Sequence, residues 1–461
     1  MERKHQILLA VLSLLLPVLL GALSRPRPPA TDVFQSHREV VMQELRDMQA
    51  VAIFHSAPIQ KRNDDVDYPY RQASDLYYLT GWEEPHTVLV LDPQAKQYKV
   101  ILYVQTKDPR RELWTGPRRG VAAAAALPGV DTAYAYEQFE KDLPKLLYRR
   151  RTLAYASGGD ENFEKKLLDK WQAAGSYGAQ KLLKAEQLTA PLRLKKTPWE
   201  IARMERAVSI TRAGLLRAMR RIPQLKTEYQ VRAEIEYAFR FNGSPRNAFS
   251  SIVGSSANAT ILHYEADSAR LVPHSLVLMD VGAEYGYYAS DVTRTVPVDG
   301  SFSPAQREIY DLVLKAQEAA IKVIKPGVPY NLPHKQAVRV IIEGLVRLGF
   351  LTGEVDSLIA KQAYRRFFPH GTSHWVGLDV HDVGSYRTSE GEPRKLEPGM
   401  VLTVEPGIYI PAGSEGVPEK YWNIGVRIED DVLVTKHGHR VLSAGIPKKV
   451  DEIEKIMNVE K

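Results

Sequence analysis

The stretch LVLMDVGAEYGYYASDVTRTVPV, residues 276–298, carries two acids in an otherwise apolar and β-branched run. Its arms flank Tyr285-Gly286, which reads as a two-residue hairpin turn. A turn there sets Asp280 directly opposite Asp291, with Cβ atoms about 5 Å apart on one face. Two bare carboxylates so placed repel by roughly 3 kcal/mol at an effective dielectric of 20. A strand pair this apolar therefore calls for a cation between them. Taken alone, the segment equally fits two aspartates on a solvated face.

Further acids recur in the same setting. GMVLTVEPGIYI places Glu405 in a β run, and NIGVRIEDDVLV does so for Glu429. A pairing centred near Val417 sets these two across from each other, and Pro406-Gly407 suggests a bend that aims Glu405. Pattern alone leaves open which of Glu429, Asp430 and Asp431 points inward. HGTSHWVGLDVHDVG, residues 370–384, adds His370, His374 and His381. The i, i+4 pair His370/His374 mimics a zinc-binding helix, but that motif needs Glu directly after the first His. Gly371 stands there, and Gly377 and Gly384 oppose a long helix, so a mononuclear zinc peptidase is excluded. Which histidine binds metal stays open at this level. Four carboxylates with imidazole form an oxygen-rich set that favours Mn²⁺, Co²⁺ or Mg²⁺ over Zn²⁺. Such a set is large enough for two ions, which points to dinuclear metal-assisted hydrolysis.

The rest of the chain organises around this set. Residues 1–24 read as a secretory signal peptide: a basic start, an apolar run from Ile7 to Leu20 broken by Pro17, then small residues. The chain is expected to be exported, periplasmic or secreted, with an uncleaved membrane anchor as the alternative; the run is short for a stable span. The absence of cysteine excludes disulfides and thiolate chemistry. A net charge of +7 over 461 residues, with no basic stripe, argues against nucleic acid as a partner. Residues 34–190 read as an α/β domain, opened by a Ser36–Glu39 capping box and holding a hairpin over 87–93 and 98–105. A second domain spans 196–461 and starts at Thr197-Pro198-Trp199-Glu200, a strong helix start. Its helices at 228–241, 303–324 and 333–348 have antiparallel strand pairs between and after them, in separate blocks, so the fold class is α+β.

The segments SSIVGSSANATILHY, LMDVGAEYGYYASDVTRT, HGTSHWVGLDVHDVG, GMVLTVEPGIYI and VPEKYWNIGVRIEDD, in that order, resemble the catalytic domain of aminopeptidase P. That family is the Xaa-Pro aminopeptidases, of the pita-bread metallopeptidases. DDVDYPYRQASDLYYLTGWEEPHTVLVL resembles the family's N-terminal domain, so the likeness runs from about 34 to 455. The resemblance implies two divalent metal ions, usually manganese, on Asp280, Asp291, His374, Glu405 and Glu429, with Asp291 and Glu429 bridging. It implies Glu405 as general base towards a metal-bridged hydroxide and His381 as the contact to the scissile carbonyl or tetrahedral intermediate. His263 and Arg427 are implied to line the proline site, with His370 beside them. The implied substrates are peptides with proline second, and the implied assembly is a homo-oligomer, dimer or tetramer. Asp65 and Trp114 match positions that approach the cleft in the family. Thr372 departs from the common pattern. Prolidase, the Xaa-Pro dipeptidase, is the near alternative; a non-catalytic peptide-binding protein on the same fold is the distant one. Retention of all five ligand positions argues against the latter and against creatinase-like chemistry.

Overall fold

The computed structural model describes residues 32–174 and 181–458; the expected signal peptide at 1–24 lies outside them. The chain divides into two units, Met1–Ala185 and Glu186–Lys461. In the first, the Asp32 side chain accepts from the Phe34 amide at 2.8 Å and caps α1 (Val33–Asp47). The Ser36–Glu39 capping box expected from sequence does not form. Ser36 bonds back to the Asp32 carbonyl and Glu39 takes the Gln35 side-chain amide, because Asp32 starts the helix a turn earlier.

Strands β1 (Ala50–His55), β2 (Val88–Leu91), β3 (Val100–Val104), β4 (Thr132–Ala135), β5 (Thr152–Ala156) and β6 (Lys181–Lys184) form a mixed sheet in the order β4-β3-β2-β1-β5-β6. The expected hairpin is β2–β3, paired from Val88↔Tyr103 to Leu91↔Val100. Val51, Ile53, Val90 and Tyr155 pack on Phe139, Leu143, Phe163 and Trp171 of the helices Gln138–Leu147 and Glu161–Ala173. The central strands are buried on both faces, which is why they read as continuous apolar runs.

In the second unit Thr197 forms the expected capping box: its hydroxyl accepts from the Glu200 amide, and Glu200 accepts from the Thr197 amide at 2.7 Å. It opens α2 (Pro198–Arg221), which buries Met204, Val208 and Leu215 and leaves Ile201 half-buried. Helices α3 (Glu228–Phe241), α4 (Pro304–Lys322) and α5 (Leu332–Arg347) follow near their expected bounds. Strands β7 (Ile252–Ser255), β8 (Leu276–Val281) and β11 (Val292–Pro297) form one sheet. β9 (Ala283–Tyr285) and β10 (Tyr288–Ala289) form the tip of the hairpin that β8 and β11 continue. The other sheets hold β12 (Val401–Val404), β15 (Asp430–Thr435) and β16 (Gly438–Val441), and the pair β13 (Gly407–Ile410) and β14 (Ile424–Arg427). These pairings are antiparallel, and the α+β class holds.

The first hairpin departs from expectation in register. Tyr285 pairs with Tyr288, so the turn is Gly286-Tyr287, and Asp280 faces Thr293 rather than Asp291. Both turn residues have positive φ, +55° and +71°, the conformation that a two-residue hairpin turn matching strand twist requires. Asp291 lies two residues from Thr293, which keeps it on the Asp280 face, diagonal to it. The second pairing follows the expected register: Val404↔Asp430 and Gly407↔Arg427 bracket Glu405 and Glu429.

Alternation along β15 turns Asp430 away from Glu429 and into a buried network. Arg294 donates to Asp430 Oδ1 at 2.8 Å and to the Glu429 carbonyl at 2.6 Å; Lys448 reaches Asp430 Oδ2 at 2.6 Å. Burial opposes the Asp430 charge, but Arg294 and Lys448 outweigh it and hold the carboxyl well below its usual range. A depressed carboxyl stabilises the fold above its unfolded pKa of about 4, and that contribution is lost as pH falls towards the folded value. Asp430→Asn is expected to cost about 3–5 kcal/mol in urea denaturation at pH 7, since it leaves the buried Arg294 and the half-buried Lys448 undercompensated. The gap from wild type should narrow at about pH 3.

Candidate metal centre

Asp280 stands in β8, Asp291 just ahead of β11, Glu405 between β12 and β13, and Glu429 between β14 and β15. His374 comes from 370–384, where no helix forms. Each acid is thus mounted within or at the end of a strand, where the ladder fixes its backbone. Donor atoms of Asp291, His374 and Glu429 lie within 4.8 Å of one another. His374 Nε2 is 3.3 Å from Asp291 Oδ2 and 3.5 Å from Glu405 Oε1. Thr293 donates to Glu429 at 2.7 Å, and Arg427 Nη2 donates to Asp280 Oδ2 at 2.7 Å. One cavity of about 650 Å³ is lined by all five of these residues and by His263, His370, His381 and Arg427.

The electrostatics are those of acids short of cations. Burial, then Asp280 and Asp431, hold the Asp291 carboxyl well above its ordinary range. Burial, then Asp291 and Glu405, do the same to Glu429. Burial also raises Glu405, with His374 and Arg427 pulling the other way. Asp280 Oδ1 and Asp291 Oδ1 are buried with no hydrogen-bond partner. A divalent cation supplies both what these oxygens lack and the charge the cluster needs, and the oxygen-rich donor set suits a hard or borderline ion. The residues present fit a metal.

The three clustered histidines separate in space. His370 Nδ1 meets the Gly371 carbonyl at 2.7 Å, and its Nε2 meets the Tyr409 hydroxyl at 2.8 Å. Arg427 donates to that same hydroxyl at 2.9 Å, so Tyr409 passes its proton towards a neutral His370. Burial first, then Arg427, push His370 down to about 3. The His381 ring stands 4.2 Å from that of His374, and burial, then His374, lower its pKa. Arg427, expected in the substrate wall, has its nitrogens on Thr293, Tyr409 and Asp280. Thr372 serves the scaffold: its hydroxyl meets His334 Nδ1 at 2.8 Å, and its carbonyl accepts from the Glu405 amide at 2.9 Å. Asp65 and Trp114, in the first unit, are exposed.

Other side chains shape the site. Tyr409 sits in the strand run GIYI, and no local pattern sets it apart. Asp431 is fully buried, is pushed up to about 7 chiefly by burial, and accepts from the Asp291 amide at 3.1 Å. Strand alternation from Glu429 could have found it. Phe249, Leu262 and Val380 form apolar wall in the cavity, and no spacing announces them.

Residues 202–436 match Metallopeptidase family M24, and residues 34–155 match the aminopeptidase P N-terminal domain. Xaa-Pro aminopeptidases of Haemophilus influenzae and Escherichia coli are 40% and 41% identical, over 92% of this chain and 97% of each relative. An aminopeptidase structure from Pseudomonas aeruginosa matches at 42% identity and TM-score 0.87, covering 92% of this chain and 97% of that one. Aminopeptidase P from E. coli with the inhibitor Pro-Leu matches at 40% identity and TM-score 0.86, with the same coverage. With its carboxylate-rich centre on an α+β second domain behind that N-terminal domain, the chain belongs to metallopeptidase family M24, in its aminopeptidase P group.

Proposed function

We propose that the protein is a metal-dependent Xaa-Pro aminopeptidase, hydrolysing the bond between an N-terminal residue and a following proline. The observation that carries this is one cavity uniting Asp280, Asp291, His374, Glu405 and Glu429 with His263, His370 and His381. Relatives named for that activity match over nearly their whole length. Asp280, Asp291, His374, Glu405 and Glu429 would hold two divalent ions, manganese in our reading, with the buried and unpartnered oxygens of Asp280 and Asp291 among the donors. When bound, the ions supply Lewis acidity and make a water acidic enough to ionise near neutral pH.

The chain's own residues do the rest. Glu405, whose carboxylate stands within the donor cluster beside His374, takes the proton of the attacking water. His381, its ring beside that of His374 at the cavity wall, donates a hydrogen bond to the oxygen on which negative charge develops. His263, with Leu262, Phe249 and Val380, offers walls to the proline ring. The bond before proline has no N–H, so shape and apolar contact select it where a hydrogen bond cannot. Residues 1–24 direct export, and the chain works as a homo-oligomer.

A tripeptide with proline second is expected to be cleaved, and an Xaa-Pro dipeptide not; cleavage of the dipeptide alone would make the protein a prolidase. Chelation should abolish hydrolysis and Mn²⁺ restore it. Glu405→Gln should lower kcat by about 10²–10⁴-fold. Mn²⁺ at a hundred times its Kd should stabilise the metal-free protein by about 2.7 kcal/mol for each ion bound, read as a higher Tm, and Asp291→Asn should lose most of that gain.

A further inference from the structure

A buried charge cluster lies under the loop that carries His374 and His381, and the chemistry above makes no use of it. Arg193 and Lys196, from the stretch leading into α2, both reach Asp382. Arg193 Nη2 is 2.5 Å from Asp382 Oδ1, and Lys196 Nζ is 3.1 Å from Asp382 Oδ2. The same Arg193 nitrogen lies 2.7 Å from Asp379 Oδ2. The Arg193, Lys196 and Asp382 side chains are 3%, 1% and 1% exposed, so these charges are desolvated. Packing leaves no slack: a Cβ on Gly377 would fall 2.1 Å from Asp382 Oδ2. The loop also closes on itself, the Asp382 amide donating to the Trp375 carbonyl at 2.9 Å.

The two histidines on this loop are anchored differently. His374 is tied to β12: its amide donates to Thr403 Oγ1 at 3.1 Å, and its carbonyl accepts from the Thr403 amide at 3.0 Å. Its Nδ1 also faces the Trp375 carbonyl at 3.1 Å. The His381 ring has no hydrogen bond among the described residues; its close neighbour is the His374 ring. Its aim therefore depends on its own backbone, and the next residue is the clamped Asp382.

We infer that Asp382, gripped by Arg193 and Lys196, is a positioning residue that holds His381 at the angle where it meets the reacting carbonyl. This rests on the reading of His381 as the transition-state contact. A buried ion cluster is weak evidence for stability, because desolvation offsets much of its attraction. A rigid mount for an otherwise unanchored catalytic ring is a use that the geometry supports, since misplacement by about 1 Å can cost roughly 10²-fold in rate.

The test is a double-mutant cycle of wild type, Asp382→Asn, His381→Ala and the double variant, Mn²⁺-loaded, on a tripeptide with proline second. Asp382→Asn is expected to lower kcat about tenfold or more, with KM and Mn²⁺ affinity within about twofold. In the His381→Ala background the same change should alter kcat by less than about twofold. An equal drop in both backgrounds, or an unchanged kcat, overturns the inference. So does a loss of Mn²⁺ affinity that parallels the activity loss, which would route the effect through His374. Wild-type kcat in His381→Ala defeats the His381 reading and this inference together, whereas a deep His381→Ala defect with an additive Asp382→Asn defeats this inference alone. Should Asp382→Asn fail to fold, Arg193→Lys serves in the same cycle with the same criteria, because lysine keeps the charge but lacks the rigid planar guanidinium that grips Asp382.

Discussion

Mutual repulsion among Asp280, Asp291, Glu405 and Glu429 is the constraint around which the second unit is built. At about 4 Å and an effective dielectric of 20, each carboxylate pair costs roughly 4 kcal/mol. Two such pairs already match the net stability of an ordinary domain, about 5–15 kcal/mol. The fold meets this load by tying all four acids into strands or their ends, where flanking residues such as Val281, Val292, Val404 and Ile428 are fully buried. It also places cations in two shells. Arg427 sits inside the cavity against Asp280, while Arg294 and Lys448 sit behind it against Asp430. The remaining imbalance is what a metal neutralises, so binding and folding are linked.

The run Glu429-Asp430-Asp431 shows how alternation sorts like charges. Period-two geometry sends Glu429 and Asp431 to the metal side and Asp430 to the opposite side. Three adjacent acids therefore take three roles. Glu429 accepts from Thr293 and faces the donor cluster. Asp430 holds Arg294 and Lys448, and Asp431 takes the Asp291 amide. The Arg294 guanidinium spans these layers by bonding both the Asp430 carboxylate and the Glu429 carbonyl. Moving one acid along this strand by a single residue would exchange the roles.

Most of the chemistry is legible in the sequence because it rests on residue types in local patterns. Acids inside apolar β runs are costly anywhere, so their mere presence there points to a cation. The Thr197 capping box and the Glu405–Glu429 register follow from local rules as well. The Asp280–Asp291 register does not, because Tyr287 accepts a positive φ that propensity assigns to glycine or asparagine. One residue of turn displacement changes the partner from Asp291 to Thr293 yet keeps the face, so the chemical reading survives the geometric error. The Asp32 cap is masked by a Ser-Glu pair that matches the capping-box pattern better. Assignment of the three histidines needs resemblance, since nothing within 370–384 states which ring meets strands far along the chain. The apolar wall is invisible for the same reason: Phe249, Leu262 and Val380 meet only through long-range topology.

Arg427 joins the two halves of the site. One of its nitrogens neutralises part of the acid cluster at Asp280, and another holds the Tyr409 hydroxyl as an acceptor. That leaves the hydroxyl proton for His370 Nε2, while His370 Nδ1 gives its own proton to the Gly371 carbonyl. One guanidinium thereby sets the tautomer of a cavity histidine, through the side chain it shares with the metal-side acids. A neutral His370 matters for the proposed substrate. A tertiary amide before proline offers no N–H, and a charged wall beside the ring would hold water that a rigid apolar ring must displace. Keeping the imidazole uncharged next to Arg427 lets the cavity be strongly polar at its acids and comparatively apolar a few ångströms away. That contrast is what recognition by shape requires.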